Sequence, residues 1–321
     1  MFLLPPLHPV KLIVLNSFSA NGKLLISGEY AVRNGSLALA VPCRFGQTLR
    51  VTQGDISQHP ELFWEAFLSN GSLWFSAKID LKNLWLNAAT DSKPAKKLIE
   101  ILGFIEKLNP GFFARQHRNL HCQTHLEFPL DWGLGSSSSL VSMLAQFSGT
   151  DAFELNKLSF GSSGYDIACA SVHSPILYQL KNGKPEIEMV DFDPVFKKDL
   201  FFVHLNRKQD TQISISENYK NFKPTKEWLS GISDISHNML KTRRLDEFEQ
   251  LMNLHEEMIS SVLGMEKVAD LYFPDYRGSV KSLGAWGGDF VLITARDGFR
   301  EYFIDKGFST VLSFDEMVLN R

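Results

Sequence analysis

Residues 131–139 read DWGLGSSSS and break directly into an apolar run carrying Leu140, Val141, Met143, Leu144 and Phe147. Ahead of them Leu120, Cys122, Thr124, Leu126 and Phe128 alternate with His121, Gln123, His125 and Glu127, the period-two pattern of a half-buried strand. The order is strand, glycine turn, helix. Glycines let the backbone fold tightly enough for successive amides to converge on an anion, and the helix behind adds its unpaired N–H groups and dipole. Gly133, Leu134, Gly135, Ser136, Ser137 and Ser138 are the candidate anion-binding residues. No lysine follows the glycines, so this is not a Walker loop. A Ser/Gly linker is the other reading of such a run; Pro129 and the abrupt apolar helix argue against it.

The rest of the chain mixes both kinds of element. Residues 10–16, 23–27, 37–41, 46–52 and 72–79 read as strands. Leu98, Ile99, Leu102, Ile105 and Leu108 recur at helical spacing after Pro94, and Asn109-Pro110-Gly111 ends that helix. Lys181-Asn182-Gly183-Lys184 predicts a hairpin between 176–180 and 187–190, and 200–205 reads as a buried strand. One long helix is expected over about 226–263, with Phe248, Leu251, Met252, Leu254 and Met258 on its apolar face and Gly264 as its stop. Strands and helices in this order make an α+β protein.

A chain of 321 residues with 44% hydrophobic and 21% charged residues can bury one large core or two ordinary ones. Its net charge of −3 gives no reason to expect nucleic acid or an anionic membrane as partner. Three dispersed cysteines, Cys43, Cys122 and Cys169, suit a reducing compartment. The apolar start is interrupted by Pro5, Pro6 and Pro9 without a basic n-region, so neither a signal peptide nor a membrane span is expected, and the protein is expected in the cytoplasm. No zinc site is proposed from the nine histidines, and no G-x-S-x-G elbow is present.

Three further segments carry a resemblance. Residues 19–42 read SANGKLLISGEYAVRNGSLALAVP, 160–170 read FGSSGYDIACA, and 281–292 read KSLGAWGGDFVL. With PLDWGLGSSSSL they resemble, in chain order and over nearly the whole chain, the signature regions of the GHMP small-molecule kinases, in the mevalonate and phosphomevalonate kinase branch. The resemblance implies a two-lobed fold, with an N-terminal lobe (1–190) like domain 2 of ribosomal protein S5 and a ferredoxin-like C-terminal lobe (191–321). It also implies ATP and Mg2+ as cofactors.

The residue roles follow from the same match. Asp166 alone reads first as a helix N-cap; the resemblance reverses this and makes it the base that takes the substrate hydroxyl proton, with Lys23 as its cationic partner, expected within about 4 Å. Ser137 matches the metal-contacting serine, and Glu154 is the nearest match to the metal-binding carboxylate. Glu29, Tyr30 and Thr211 match substrate-side positions, and Arg207 and Lys208 could meet an acidic substrate. Gly284, Gly287 and Gly288 match a loop that closes over the phosphates. The chain departs from the family pattern at Asn21, where proline is usual, and at Trp286 and Asp289, where glycine is favoured.

The expected activity is phosphoryl transfer from ATP to a small-molecule alcohol by a monomer or homodimer. Mevalonate is preferred, because galactokinase and homoserine kinase signatures are missing, and the decarboxylase segment K-Y-W-G-K is absent. Phosphomevalonate or another GHMP substrate is the alternative. A protein of this fold that binds nucleotide for regulation without turnover is the competing class, motivated by the altered third loop.

Overall fold

The computed structural model describes residues 13–206 and 222–320. Thr211, Arg207 and Lys208, and the proline-interrupted start of the chain, lie outside the described residues. The described chain forms two compact units, 13–20 with 47–127 and 140–161, and 21–46 with 128–139 and 162–320. The boundary expected near residue 190 falls inside the second unit.

Two long strands, β1 (Ile13–Ser27) and β2 (Ala38–Ile56), contribute residues to both. The runs expected at 10–16 and 23–27 belong to one strand in their described part. Asn21-Gly22 between them stays extended: a Cβ on Gly22 would come within 2.8 Å of the Phe45 carbonyl and 3.1 Å of the Leu134 carbonyl, so the glycine permits close backbone approach instead of a turn.

In the first unit, β3 (Glu61–Phe67), β4 (Leu73–Asp80), β5 (Trp85–Ala89) and β6 (Arg118–Leu126) form the sheet β5-β4-β3-β6-β2. β3 and β6 pair in parallel, and β6 meets β2 antiparallel from Gln47↔Leu126. Alternation in β6 holds as expected, with Leu120, Cys122, Thr124 and Leu126 buried. Helix α1 (Ser92–Leu108), N-capped by the Asp91 side chain on the Lys93 amide, lays Leu98, Ile101, Leu102 and Ile105 onto β4 and β5. Helix α2 (Ser136–Ser148) and helix α3 (Ala152–Ser159) follow β6.

The second unit holds helix α4 (Tyr165–Ala170) and the hairpin β7 (Ile176–Lys181) and β8 (Lys184–Met189). The hairpin closes at Lys181↔Lys184 through Asn182 and Gly183, both at positive φ (53° and 75°), as an Asn-Gly turn requires. β7 also pairs with the start of β2. β9 (Leu200–His204) lies in a four-stranded antiparallel sheet, order β10-β11-β9-β12, with β10 (Val280–Leu283), β11 (Phe290–Thr294) and β12 (Val311–Ser313).

The single helix expected over 226–263 is two, α5 (Lys226–Lys241) and α6 (Leu245–Leu263). Thr242 and Arg244 are extended at the break, and Asp246 and Glu247 restart the helix where acidic residues favour an N-terminus. Gly264 ends α6 at φ 63° as expected. The buried face of α6 matches the expected apolar face at Phe248 and Met252 but not at Leu254. Leu254 is 50% exposed, whereas His255 and Glu256 are buried beside Phe248, Met252, Ile259 and Leu263. Helix α7 (Val268–Tyr272) packs on β10, and α8 (Phe299–Asp305) and α9 (Phe314–Met317) complete the unit. Among the described residues no helix is long and apolar enough to cross a membrane.

Candidate active site

The glycine turn lies in the second unit. A short helical turn, Leu130–Trp132, leads into Gly133 (φ 64°) and Gly135 (φ 90°), and α2 starts at Ser136. Leu134 is fully buried and anchors the turn; its carbonyl accepts from the Lys23 amide at 2.9 Å. The Lys23 ammonium donates to the Gly133 carbonyl at 2.8 Å. The serines divide by direction. Ser138 turns back to the Gly135 carbonyl (2.9 Å) and Ser139, fully buried, to the Ser136 carbonyl (3.1 Å). Ser136 is half-buried and Ser137 exposed at the helix start. Gly135 must be glycine because a Cβ there would lie 2.7 Å from the Ser138 hydroxyl.

Asp166 sits in the first turn of α4, whose N-cap is Gly164 at φ 92°. Its Oδ1 accepts from the Ser162 hydroxyl (2.9 Å) and the Ile167 amide (3.1 Å), so half of the carboxylate is held in place. The Tyr178 hydroxyl donates to the Ser163 carbonyl at 2.5 Å and pins the preceding turn. Lys23 and Asp166 share this region without touching: no ion pair within 4.0 Å joins them. Burial pulls the Lys23 pKa down, but the fields of Tyr165, Asp289 and Asp166 outweigh it and hold the ammonium well above its usual value. Lys23 is therefore charged, 5.9 Å from the centre of the Tyr165 ring.

Glu29 and Tyr30 follow Gly28 (φ 100°), and Tyr30 itself is at φ 63°. Gly28 cannot be replaced without overlap, since a Cβ there would meet the Ala38 Cβ at 2.6 Å. Glu29 is only 4% exposed. Its carboxylate takes the ammonium of fully buried Lys281 at 2.8 Å and lies 3.1 Å from His255 Nε2. The same nitrogen faces the Gly28 amide at 3.0 Å, and burial and Lys281 hold the His255 pKa below its usual value. Lys281 also donates to the Ser282 carbonyl, and the Ser282 hydroxyl to Glu256 Oε2 at 3.1 Å. Burial tends to raise the Glu29 pKa, but Lys281 and His255 bring it down to about 2. Glu256, further from compensation, is pushed up to about 8 by burial. His255 and Glu256 escaped the sequence reading. Their signal was position: they fall between Met252 and Ile259 on the stripe that α6 buries.

The third loop is fixed by its own contacts. Tyr30 Oη accepts from the Trp286 amide at 2.9 Å, and the Gly288 amide donates to the Ala285 carbonyl at 3.2 Å. The Trp286 indole is 3% exposed and donates to the Glu266 carbonyl at 3.0 Å. Gly284 and Gly287 take φ values of 78° and 76°, and Asp289 follows at 53°. The Asp289 carboxylate lies on Gly133: a Cβ at that glycine would overlap it, with even the farther oxygen at 2.8 Å. Glu154 belongs to the first unit, near the start of α3, where its exposed carboxylate stands 3.9 Å from Lys157. Among the described residues no group of three or more His, Cys, Asp or Glu side chains is placed to hold a metal ion.

No protein-family model matches the chain, and no curated protein matches its sequence. Solved structures match it almost end to end. The mevalonate kinase of Methanococcus jannaschii superposes with a TM-score of 0.62 at 18% identity, over 91% of this chain and 94% of that one. The fold is that of the GHMP kinases. Streptococcus pneumoniae phosphomevalonate kinase gives 0.62 at 16% identity, over 94% and 98%. A D-glycero-D-manno-heptose 1-phosphate kinase from Bacteriodes thetaiotaomicron gives 0.63 at 13%, over 96% and 97%. At such identities the likeness is one of fold, and function rests on the site.

Proposed function

We propose that this chain is an ATP- and Mg2+-dependent kinase that phosphorylates the hydroxyl of a small metabolite, with mevalonate as the acceptor and phosphomevalonate as the next choice. The observation that carries the reading is the meeting of Lys23 with both the glycine turn, through the Gly133 and Leu134 carbonyls, and the field of Asp166. Phosphoryl transfer asks for positioning, charge neutralisation and a proton acceptor, and these residues supply each.

The Gly133–Ser138 backbone and the α2 N-terminus fit a polyphosphate: the turn is glycine-built and the exposed Ser137 hydroxyl opens the helix. Ser137 offers an oxygen to magnesium, which keeps most of its waters and needs few protein ligands; Glu154 is the second ligand implied by the resemblance. When bound, magnesium nucleotide supplies the transferable phosphoryl group and neutralises its charge. Asp166, oriented by Ser162 and the Ile167 amide, accepts the acceptor's hydroxyl proton. Lys23 stabilises the negative charge that builds beside it. Glu29 and Tyr30 enter as supports of the third loop; an acceptor-facing role for them and for Thr211, and phosphate contacts from Gly287 and Gly288, rest on the resemblance. The activity belongs in the cytoplasm, with no nucleic acid or membrane partner, in a monomer or homodimer.

A second reading, nucleotide binding without turnover, is favoured by one observation: the Trp286 and Gly288 amides already have partners within the protein. Measuring ADP release with mevalonate, phosphomevalonate, homoserine and several sugars separates the two. Acceptor-dependent ADP release that disappears in Asp166→Asn supports the kinase. Nucleotide binding without release for any acceptor supports the alternative.

A further inference from the structure

We propose that the cavity at the start of β6 is a binding site for a small, multiply charged anion, a phosphate ester or a polycarboxylate, held by Lys82, His59 and His117. The site lies within the first unit and does not depend on the kinase reading.

Three loops make the cavity. The chain leaves β2 at Ile56 and turns through 57–60 into β3; Lys82 sits between β4 and β5; Ala114, Gln116 and His117 lie between α1 and β6. The backbones of these loops are tied to one another. The Ser57 amide donates to the His117 carbonyl at 3.0 Å, and the Leu81 amide to the Pro60 carbonyl at 3.0 Å. The Ser57 hydroxyl oxygen accepts from the His59 amide at 3.1 Å. Pro60 and Phe113 are buried and root the loops in the core. The walls are therefore set before a ligand arrives, which lowers the ordering cost of binding. They enclose about 690 Å³, a space of metabolite size.

The chemistry of the walls selects the ligand. Lys82 brings an ammonium with three donors, and the imidazoles of His59 and His117 each bring at least one N–H whichever form they take. No carboxylate is among the lining residues. Among the described residues, Lys82, His59 and His117 form no ion pair within 4.0 Å. The acids nearest to them in sequence lie outside the lining: Glu61 pairs with Lys78 at 2.9 Å, Asp80 accepts from the Asn83 amide at 2.8 Å, and Asp55 is exposed. Donors gathered on one cavity without protein acceptors suit a ligand that only accepts and carries negative charge. Ile56, Pro60 and Ala114 add apolar wall for its carbon skeleton.

The test is magnetic resonance of the full chain labelled at its histidine imidazoles. It is titrated with sodium phosphate and, separately, with sodium citrate at constant pH and ionic strength, chloride making up the balance. His59→Gln and His117→Gln assign the two resonances. His204, whose ring nitrogen lies 3.1 Å from the Asp131 carbonyl just ahead of the glycine turn, reports separately on anions entering there. The His59 and His117 resonances should move together and saturate at millimolar anion or below. Saturation by phosphate alone makes the ligand a phosphate ester, and by citrate alone a polycarboxylate. Lys82 is exposed, so Lys82→Gln is expected to fold, as cooperative thermal unfolding checks, and should weaken the binding by about tenfold. Absence of saturable movement at both histidines with both anions overturns the proposal. So does equal movement with chloride alone, or binding that Lys82→Gln leaves unchanged. Movement of His204 without His59 and His117 also overturns it, while leaving the glycine turn as the anion site of the kinase reading.

Discussion

Replacing Glu256 by glutamine tests the buried polar cluster behind the third loop. Glu256 is 2% exposed, with Oε2 bonded to Ser282 and Oε1 lacking a hydrogen-bond partner. Its pKa rises from the ordinary 4.5 to about 8. A carboxyl whose folded pKa lies above its unfolded value stabilises the fold fully below pH 4.5, and that contribution is lost as pH climbs through 8. Each pKa unit is worth 1.36 kcal/mol, so at pH 8 the native protein forgoes up to about 4 kcal/mol; relaxation and water penetration bring the expected figure to roughly 2–4 kcal/mol. Glutamine imitates the protonated acid and does not titrate. Glu29 and His255 work on the other side: with pKa values held down, their contributions are present at neutral pH. The His255 contribution is lost as pH falls below 6.5, and that of Glu29 from 4.5 toward 2. Glu256→Gln should therefore match the native protein's pH dependence on the acid side and diverge from it on the alkaline side. Urea unfolding at pH 5, 6.5 and 8.5 reads this directly. The stability difference between variant and native protein should grow by roughly 2–4 kcal/mol in the variant's favour between the first and last pH. Parallel curves would refute the argument, because they would mean that Glu256 ionises as freely in the fold as in the unfolded chain.

Asp166→Asn should lower turnover by about 10²–10⁴ while leaving magnesium-ATP binding nearly intact, as measured by steady-state kinetics beside calorimetry; near-native turnover would reduce Asp166 to a structural role. Ser137→Ala should weaken magnesium-nucleotide binding or turnover more than Ser139→Ala, whose hydroxyl is spent on the Ser136 carbonyl; titrations of both variants with equal small effects would remove the metal role of Ser137. Lys281→Met should destabilise by about 3–5 kcal/mol by leaving Glu29 unpaired in the interior, and the double variant with Glu29→Gln should recover much of that in urea unfolding. Trp286→Gly should cost about 3–5 kcal/mol of stability through lost burial with little change in nucleotide affinity; a marked affinity gain would mean that the indole obstructs the site.

Local patterns were legible where one rule acted alone. The alternation of β6 and the glycines at 133 and 135 specify a strand and a turn with little need of tertiary context. The Asn182-Gly183 turn is likewise local. The reading failed where the interior accepts polar groups. An apolar stripe drawn through α6 includes Leu251, Leu254 and Met258, yet the helix turns His255 and Glu256 inward because Glu29 and Lys281, distant in sequence, provide their surroundings. The break between α5 and α6 was hidden as well, since Thr242-Arg243-Arg244 contains neither glycine nor proline. The sequence motifs brought Glu29 and Tyr30 forward as substrate-side residues; only the fold discloses that Lys281 and the Trp286 amide engage them.

The third loop is held by its own contacts. Gly284 and Gly287 take the left-handed turns that give the backbone its course. Two of its amides have partners within the protein: Tyr30 takes the Trp286 amide and Ala285 the Gly288 amide. The indole of Trp286 is buried and ties the loop to Glu266. On the proposed kinase reading, with those two amides committed, a phosphate chain draws hydrogen bonds from the 133–138 turn and the first amides of α2, and positive charge from Lys23. Lys23 is itself oriented by the turn it serves, because both its amide and its ammonium bind carbonyls there. A loop braced in this way, and a lysine fixed to the glycine turn, leave the 133–138 segment as the place where the proposed nucleotide is recognised.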